Sequence, residues 1–93
     1  MASAAPDTRA AKEAQQPIVS VARMMGLDTA GKMLGGHERL GDALAIQPRS
    51  LRAKLAGDRG ISAADLIATA EALDARADRV REHARKLREE AGQ

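Results

Sequence analysis

The sequence contains no cysteine and no phenylalanine, tyrosine or tryptophan among its 93 residues. Without cysteine, disulfides and thiolate metal sites are excluded. Without aromatic rings, any core must be built from leucine, isoleucine, valine, methionine and alanine, which suits closely packed helices better than sheets. A chain of this length forms one domain at most and buries roughly 60–70% of its unfolded surface, so its core is thin and oligomerisation would supplement its stability.

Long apolar runs are also missing. No stretch approaches the roughly 20 residues that a bilayer-spanning helix needs, and the N-terminus lacks the charged start and apolar core of a signal peptide. We therefore expect a cytoplasmic protein without a membrane partner. The formal net charge is only +2, but the sequence pI is about 9.5 and the basic residues concentrate after residue 48. That local charge favours a nucleic acid or another acidic surface as the partner.

The residues divide into a tail and one helical domain. Residues 1–16 are small and polar without apolar periodicity, which predicts a disordered tail. Residues 17–93 show apolar residues at helical spacing, which predicts an all-α bundle of about five helices. The last helix, about residues 75–91, would be long and rich in charge.

Two short helices are predicted to open the domain. Pro17 suits the first turn of a helix and Gly26 suits its C-terminal cap. The inner face of this helix would comprise Ile18, Val21, Ala22 and Met25. Asp28 would cap a second short helix, which Gly35 and Gly36 end. The β-branched residues at positions 18, 19 and 21 leave a short strand as an alternative.

Residues 37–60 predict two further short helices joined by a tight turn. The first would span residues 37–46. The second would span residues 48–56, because Pro48 is favourable at a first helical position and Gly57 suits the C-terminal cap. The inner faces of the two helices would carry Leu40, Ala43, Leu44, Leu51 and Leu55.

The next helix is predicted to begin with a capping box. Ser62 and Asp65 have the spacing of that motif, with aspartate in place of the usual glutamate or glutamine. Residues 74–75 either interrupt this helix or continue it into the last segment. Its inner stripe would comprise Leu66, Ile67, Ala70, Leu73 and Ala77.

The last segment carries a heptad seam of Ala77, Val80, Ala84, Leu87 and Ala91. In a parallel pair of such helices, Arg76 would face Arg81 of the second copy and His83 would face Arg88. These like charges disfavour a parallel pair. An antiparallel pair, or packing of the helix on its own domain, is therefore favoured.

The predicted turn meets the requirements of a helix-turn-helix motif. Such a motif needs apolar contacts, a small residue where the helices approach, here Gly41, and a hydrophilic outer face on the second helix. The chain also has Gly-Gly before the first helix, an L-x-x-A-L-x-I frame, Ser-Leu in the second helix and a G-x-R-x-I loop. Through these features, residues 35–73, about two-fifths of the chain, resemble the Cro-type and related phage-repressor family of helix-turn-helix proteins.

The resemblance implies that the second helix enters the DNA major groove. The positions that would face bases or flanking phosphates are Gln47, Arg49, Ser50, Arg52 and Ala53. Glutamine can read adenine and arginine can read guanine through paired hydrogen bonds. Lys54 and Arg59 would hold phosphates, which position a protein without reading sequence.

Two residues depart from the family pattern. Ala45 stands where the turn usually has glycine, and a left-handed backbone there would cost alanine about 1 kcal/mol or more. Lys54 stands where the second helix usually has an apolar or aromatic residue. We expect Leu55 to take over that packing and the ammonium of Lys54 to remain in solvent.

These observations predict a sequence-specific transcriptional regulator that binds double-stranded DNA as a homodimer. The alternative is a helical protein-interaction module on the same scaffold, such as a phage or gene-transfer accessory factor. Nonspecific coating of the chromosome is a weaker third reading.

An enzyme is not expected. Residues 26–32 fit the GxxxxGK phosphate-loop pattern, but Met33 stands where a magnesium-binding hydroxyl is required. His37 and His83 lack companions at the spacing of metal ligands or of a catalytic triad. We therefore predict no cofactor, no metal site and no catalytic residue.

Overall fold

The computed structural model describes residues 20–93, which form four helices and no strand. The helices are α1 (Val21–Leu34), α2 (His37–Leu44), α3 (Pro48–Ala56) and α4 (Ala63–Glu90). The all-α prediction is confirmed for this part of the chain. The number of helices is four rather than about five, because the two short helices predicted at the start form one continuous helix. The predicted tail, residues 1–16, lies outside the described residues, as does Ile18.

Helix α1 runs through Gly26 without a break. It begins at Ser20, whose hydroxyl accepts a hydrogen bond from the backbone N–H of Arg23, and ends at Gly35, which has a φ of 109°. An interior glycine costs a helix about 1 kcal/mol, but continuing the helix carries Leu27 and Leu34 into the core. Burial of large apolar side chains is worth more than that cost, so the predicted cap at Gly26 is wrong.

The predicted inner face of α1 is also wrong. Val21, Ala22 and Met25 are exposed, whereas the buried positions are Leu27, Ala30, Gly31 and Leu34. Asp28 does not cap a helix. Its carboxylate lies within α1 and pairs with Lys32 and His37 instead.

A small leucine-rich core joins the four helices. Leu27 and Leu40 are fully buried. The remaining members of the buried cluster are Leu34, Leu51 and Ile61. Partly buried side chains surround this cluster, namely Met24, Ala43, Leu44, Ile46, Leu55, Leu66, Ala72 and Leu73. The core is therefore as thin as the chain length predicts, and α2 and α3 both contribute to it.

Helix α4 is a single helix of 28 residues that passes through positions 74–75 without interruption. At a rise of 1.5 Å per residue it is about 42 Å long. The predicted capping box is present: the hydroxyl of Ser62 accepts from the N–H of Asp65, and the carboxylate of Asp65 accepts from the N–H of Ser62.

Only the first half of α4 packs on the core, and its packed face differs in part from the predicted stripe. Leu66 and Leu73 are half-buried as expected, but Ile67 and Ala70 are exposed. Thr69 is buried instead, with its hydroxyl donating to the carbonyl of Asp65 at 2.8 Å. From residue 80 onward, every residue of α4 except Ala84 is exposed. We call residues 77–90 of α4 the arm.

None of the helices within residues 20–93 combines the length and apolar composition needed to cross a bilayer.

Candidate nucleic-acid interface

Helices α2 and α3 are joined by a turn of three residues, Ala45, Ile46 and Gln47. Ala45 has left-handed backbone angles, φ 56° and ψ 42°. The N–H groups of Ala45 and Ile46 donate to the carbonyls of Asp42 and Gly41, both at 3.1 Å, and so close the end of α2. The turn therefore consists of a left-handed cap at Ala45, then Ile46, then Gln47, which is the N-cap of α3.

Gly41 lies where α2 approaches the turn and α3. A Cβ atom at this position would lie 3.5 Å from the carbonyl oxygen of Ile46 and 3.8 Å from Cδ2 of Leu51. These are ordinary van der Waals contacts, but they leave no room for a longer side chain. The structure thus has a small residue at the predicted close approach.

Helix α3 has one buried face and one exposed face. Leu51 is 3% exposed and Leu55 is half-buried, so these two leucines fix the inner face as predicted. Arg49 and Arg52, three residues apart, are both exposed on the outer face. Within residues 20–93 neither guanidinium forms an ion pair or a side-chain hydrogen bond. Both are free to bind a ligand.

The other predicted contact positions on α3 lie close to these arginines. Gln47 precedes the helix and is exposed, whereas Ser50 and Ala53 are half-buried at the edge of the outer face. Ser50 and Ala53 can therefore contact only a surface that comes close to the helix backbone.

The N-terminus of α3 carries unused hydrogen-bond donors. Gln47 makes no side-chain cap, and no acidic residue occupies the first turn. The first backbone bond of the helix is donated by Leu51 to Gln47 at 3.1 Å, so the N–H groups of Arg49 and Ser50 have no partner within the helix. Together with the positive end of the helix dipole, these groups favour an anion.

Lys54 is not on this outer face. Its ammonium donates to the carboxylate of Asp65 at 2.8 Å and to the carbonyl of Gly60 at 3.1 Å. The side chains of Lys54 and Asp65 are only 16% and 17% exposed. The expectation that this ammonium remains in solvent is therefore wrong, because the amine has an internal partner eleven positions along the chain.

The environment of Asp65 stabilises its charged form. Burial by itself would raise the pKa of the carboxyl, but hydrogen bonds from Lys54 and Ser62 outweigh it and hold the pKa below its ordinary value of 3.8. Lys54 is thus neutralised by an ionised partner. The outward charge of residues 47–59 comes from Arg49, Arg52 and Arg59 against Asp58.

Arg59 lies in the loop between α3 and α4. It is exposed, and no side-chain partner within the described residues is close enough for an ion pair. The loop begins at Gly57, which has a φ of 88°, and ends where Ile61 is buried. The guanidinium of Arg23 on α1 also holds the loop, donating to the carbonyl of Ile61 at 2.6 Å. Sequence reasoning missed Arg23, since no local pattern marks a contact across 38 positions.

Acidic residues lie next to the basic face. A shallow depression between the start of α2 and α3 is lined by His37, Glu38, Gly41, Asp42, Ile46, Pro48, Leu51 and Arg52. Glu38 and Asp42 have no ion-pair partner within residues 20–93. Their carboxylates disfavour phosphate on the α2 side of Arg52. The surface that can bind an anion is therefore narrower than the number of basic residues in 47–59 suggests.

A second polar group, also missed by sequence reasoning, joins α1 to α2. His37 Nε2 and Asp28 Oδ1 are 2.9 Å apart, and Lys32 lies 3.3 Å from the other carboxylate oxygen. The hydrogen bond from His37, followed by that from Lys32, lowers the pKa of Asp28. A Cβ at Gly31 would lie 3.0 Å from Cδ2 of His37, so α1 and α2 are in close contact here. The spacing of Asp28 and Lys32 was the available signal for an ion pair.

Comparison of the chain with protein-family models, curated proteins and solved structures gives no significant match. Within residues 20–93 there is also no group of three or more histidine, cysteine, aspartate or glutamate side chains arranged to hold a metal ion.

Proposed function

We propose that the protein is a sequence-specific DNA-binding transcriptional regulator that acts in the cytoplasm as a homodimer. In this proposal α3 enters the major groove with Arg49 and Arg52 toward the bases. The observation that carries it is the outer face of α3, where two exposed arginines have no partner within residues 20–93 while Leu51 anchors the opposite face.

The remaining contacts follow from the geometry of this face. Arg52, at the centre of the exposed face, is the candidate for paired hydrogen bonds to guanine O6 and N7. Gln47 is the candidate for adenine. Arg49, Ser50 and the N–H groups at the start of α3 all belong to the first turn of the helix, so they are the candidates for contact with one phosphate or base edge. Arg59 would bind a flanking phosphate, and Lys54 is left out because its charge is used internally.

A protein-interaction module is the second candidate. It is favoured by the depression beside Arg52, where the apolar side chains of Ile46 and Pro48 lie among Glu38, Asp42 and His37. Carboxylates at this place suit a mixed protein surface better than a phosphate backbone. Such a module would keep the fold and bind no duplex.

The first experiment is binding to a pool of genomic duplexes, with sequencing of the enriched fraction, at two salt concentrations. Enrichment of an inverted repeat with tight binding at physiological salt supports a dimeric regulator. Equal affinity for all duplexes, lost as the salt concentration rises, would indicate nonspecific coating. Absence of binding at both salt concentrations refutes the DNA-binding proposal and favours the protein-interaction module.

Substitutions at Arg52 test direct reading of the sequence. Arg52→Ala should weaken binding to the enriched site by about 1–3 kcal/mol and relax selection at one base position. Arg52→Lys keeps the charge but loses the paired hydrogen bonds, so selection at that position should still relax. Lys86→Ala is the matched control, because it removes one exposed positive charge from the arm. Equal weakening for every duplex sequence by Arg52→Ala would contradict a reading role.

A further inference from the structure

The arm carries an apolar seam that nothing within residues 20–93 covers. Leu66 and Leu73 lie on the same stripe of α4 and pack on the core. Beyond them the stripe continues along the arm, where Val80 and Leu87 are 57% and 58% exposed. The seam therefore leaves the domain as a continuation of its core face.

Small and large residues alternate along this seam. In heptad notation every a position of the arm region is alanine (77, 84 and 91), and the d positions are Val80 and Leu87. In a parallel pair alanine would face alanine, which leaves poorly filled layers. In an antiparallel pair each a residue faces a d residue, so every layer combines one alanine with one larger side chain. Alanine also lets the two helix backbones approach closely.

We propose that the arm pairs antiparallel with the arm of a second copy, with Ala77 opposite Leu87 and Val80 opposite Ala84. This pairing specifies the interface of the homodimer and rests on that part of the proposed function. It involves no DNA contact, because α3 is not part of the seam.

Charge complementarity supports this register. On one side of the seam Asp74 meets Arg88 of the second copy, and two-fold symmetry repeats the contact. On the other side Arg76 meets Glu90, again twice. Near the two-fold axis Arg81 faces Arg81 of the second copy, and His83 faces His83 of the second copy. The like charges of the two Arg81 side chains are offset in part by Asp78, whose carboxylate is 2.5 Å from the guanidinium.

The two neighbouring registers are less favourable. A shift of one heptad toward the C-terminus would place Arg81 opposite Arg88 twice, which is repulsive. A shift of one heptad toward the N-terminus would place Leu73, which already packs on the core, opposite Ala84 in the middle of the arm. In the proposed register Leu73 is opposite only Ala91, which lies beyond the last residue of α4. The proposed register lies between these two limits.

The test is the dimer dissociation constant of the full chain without DNA, measured by sedimentation equilibrium. Asp74 and Arg88 are both exposed and have no ion pair within residues 20–93. Asp74→Arg and Arg88→Asp should each weaken the dimer about tenfold, because two opposite-charge contacts become like-charge contacts. The double variant exchanges the charges and should return to within about threefold of the unsubstituted chain.

Lys86→Asp is the control, since it makes the same charge change as Arg88→Asp on the side of the arm away from the seam. Recovery in the double variant cannot be attributed to helix stability, because that variant also contains Arg88→Asp.

Three results would overturn the pairing. One is an unsubstituted chain that stays monomeric up to millimolar concentration. Another is a tighter dimer with Arg88→Asp, because in a parallel pair the new carboxylate would face His83 and attract it. The third is equal weakening by Lys86→Asp. A dimer with the expected charge pattern that binds no duplex would refute the DNA proposal and leave the pairing standing.

Discussion

Replacing Ala45 with glycine should stabilise the protein, although such a change usually destabilises one. Ala45 is exposed and has left-handed backbone angles, φ 56° and ψ 42°. That conformation costs a residue with a Cβ about 1–2 kcal/mol. Glycine removes this strain, but it also increases the conformational entropy of the unfolded chain, which lowers the free energy of unfolding by about 0.4–1 kcal/mol. The net gain in the free energy of unfolding should be about 0.5–1 kcal/mol, or about 2–8 °C in Tm.

The assay is thermal and urea denaturation followed by far-ultraviolet circular dichroism, since the chain has no aromatic fluorophore. Ala75→Gly is the matched control, because Ala75 is also exposed but lies inside α4. There glycine should lower the free energy of unfolding by about 1 kcal/mol. If Ala45→Gly destabilises the protein as much as Ala75→Gly does, the left-handed turn between α2 and α3 is refuted.

Two further predictions concern stability. The pKa of Asp65 is lower in the folded state than its ordinary value of 3.8, so ionised Asp65 stabilises the fold. This contribution is complete at a pH well above 3.8 and is lost as the pH falls through the folded-state pKa. When the free energy of unfolding is measured by urea denaturation at decreasing pH, it should fall less for Lys54→Met than for the unsubstituted chain. An equal fall would contradict the ion pair. Gly41→Ala should raise the free energy of unfolding by up to about 1 kcal/mol through helix propensity, whereas Gly41→Leu should lower it by about 1–3 kcal/mol because the side chain meets Ile46 and Leu51. Equal effects of the two substitutions in urea denaturation would contradict the close approach.

The helix ends that the sequence predicted correctly are those with short-range signals. Pro48, Gly57 and the pair Ser62 and Asp65 act on backbone groups within three or four positions, so the residues themselves identify the ends of α3 and the start of α4. The inner residues Leu40 and Leu51 were also predictable, because each helix is short and has one apolar face.

The wrong predictions concern features that depend on contacts between residues far apart in the sequence. Gly26 is a plausible helix end by local rules, but the burial of Leu27 and Leu34 against other helices keeps α1 continuous. Lys54 gave no sign in sequence of its partner Asp65, because that ion pair forms only when the loop folds back. The DNA-facing role of Arg49 and Arg52 remains a prediction, since their exposure and lack of an internal partner permit binding without specifying a ligand.

The capping box at the start of α4 has a consequence for the domain as a whole. No Cα atom of α3 lies within 8 Å of a Cα atom of α4. The Lys54–Asp65 ion pair therefore connects, through side chains, two helices whose backbones are not in contact. The same carboxylate also caps α4, and the ammonium that it binds also holds the loop at Gly60. Loss of the Asp65 carboxylate would therefore weaken three contacts at once: the N-terminal cap of α4, the hold of Lys54 on the loop, and the ion pair between α3 and α4.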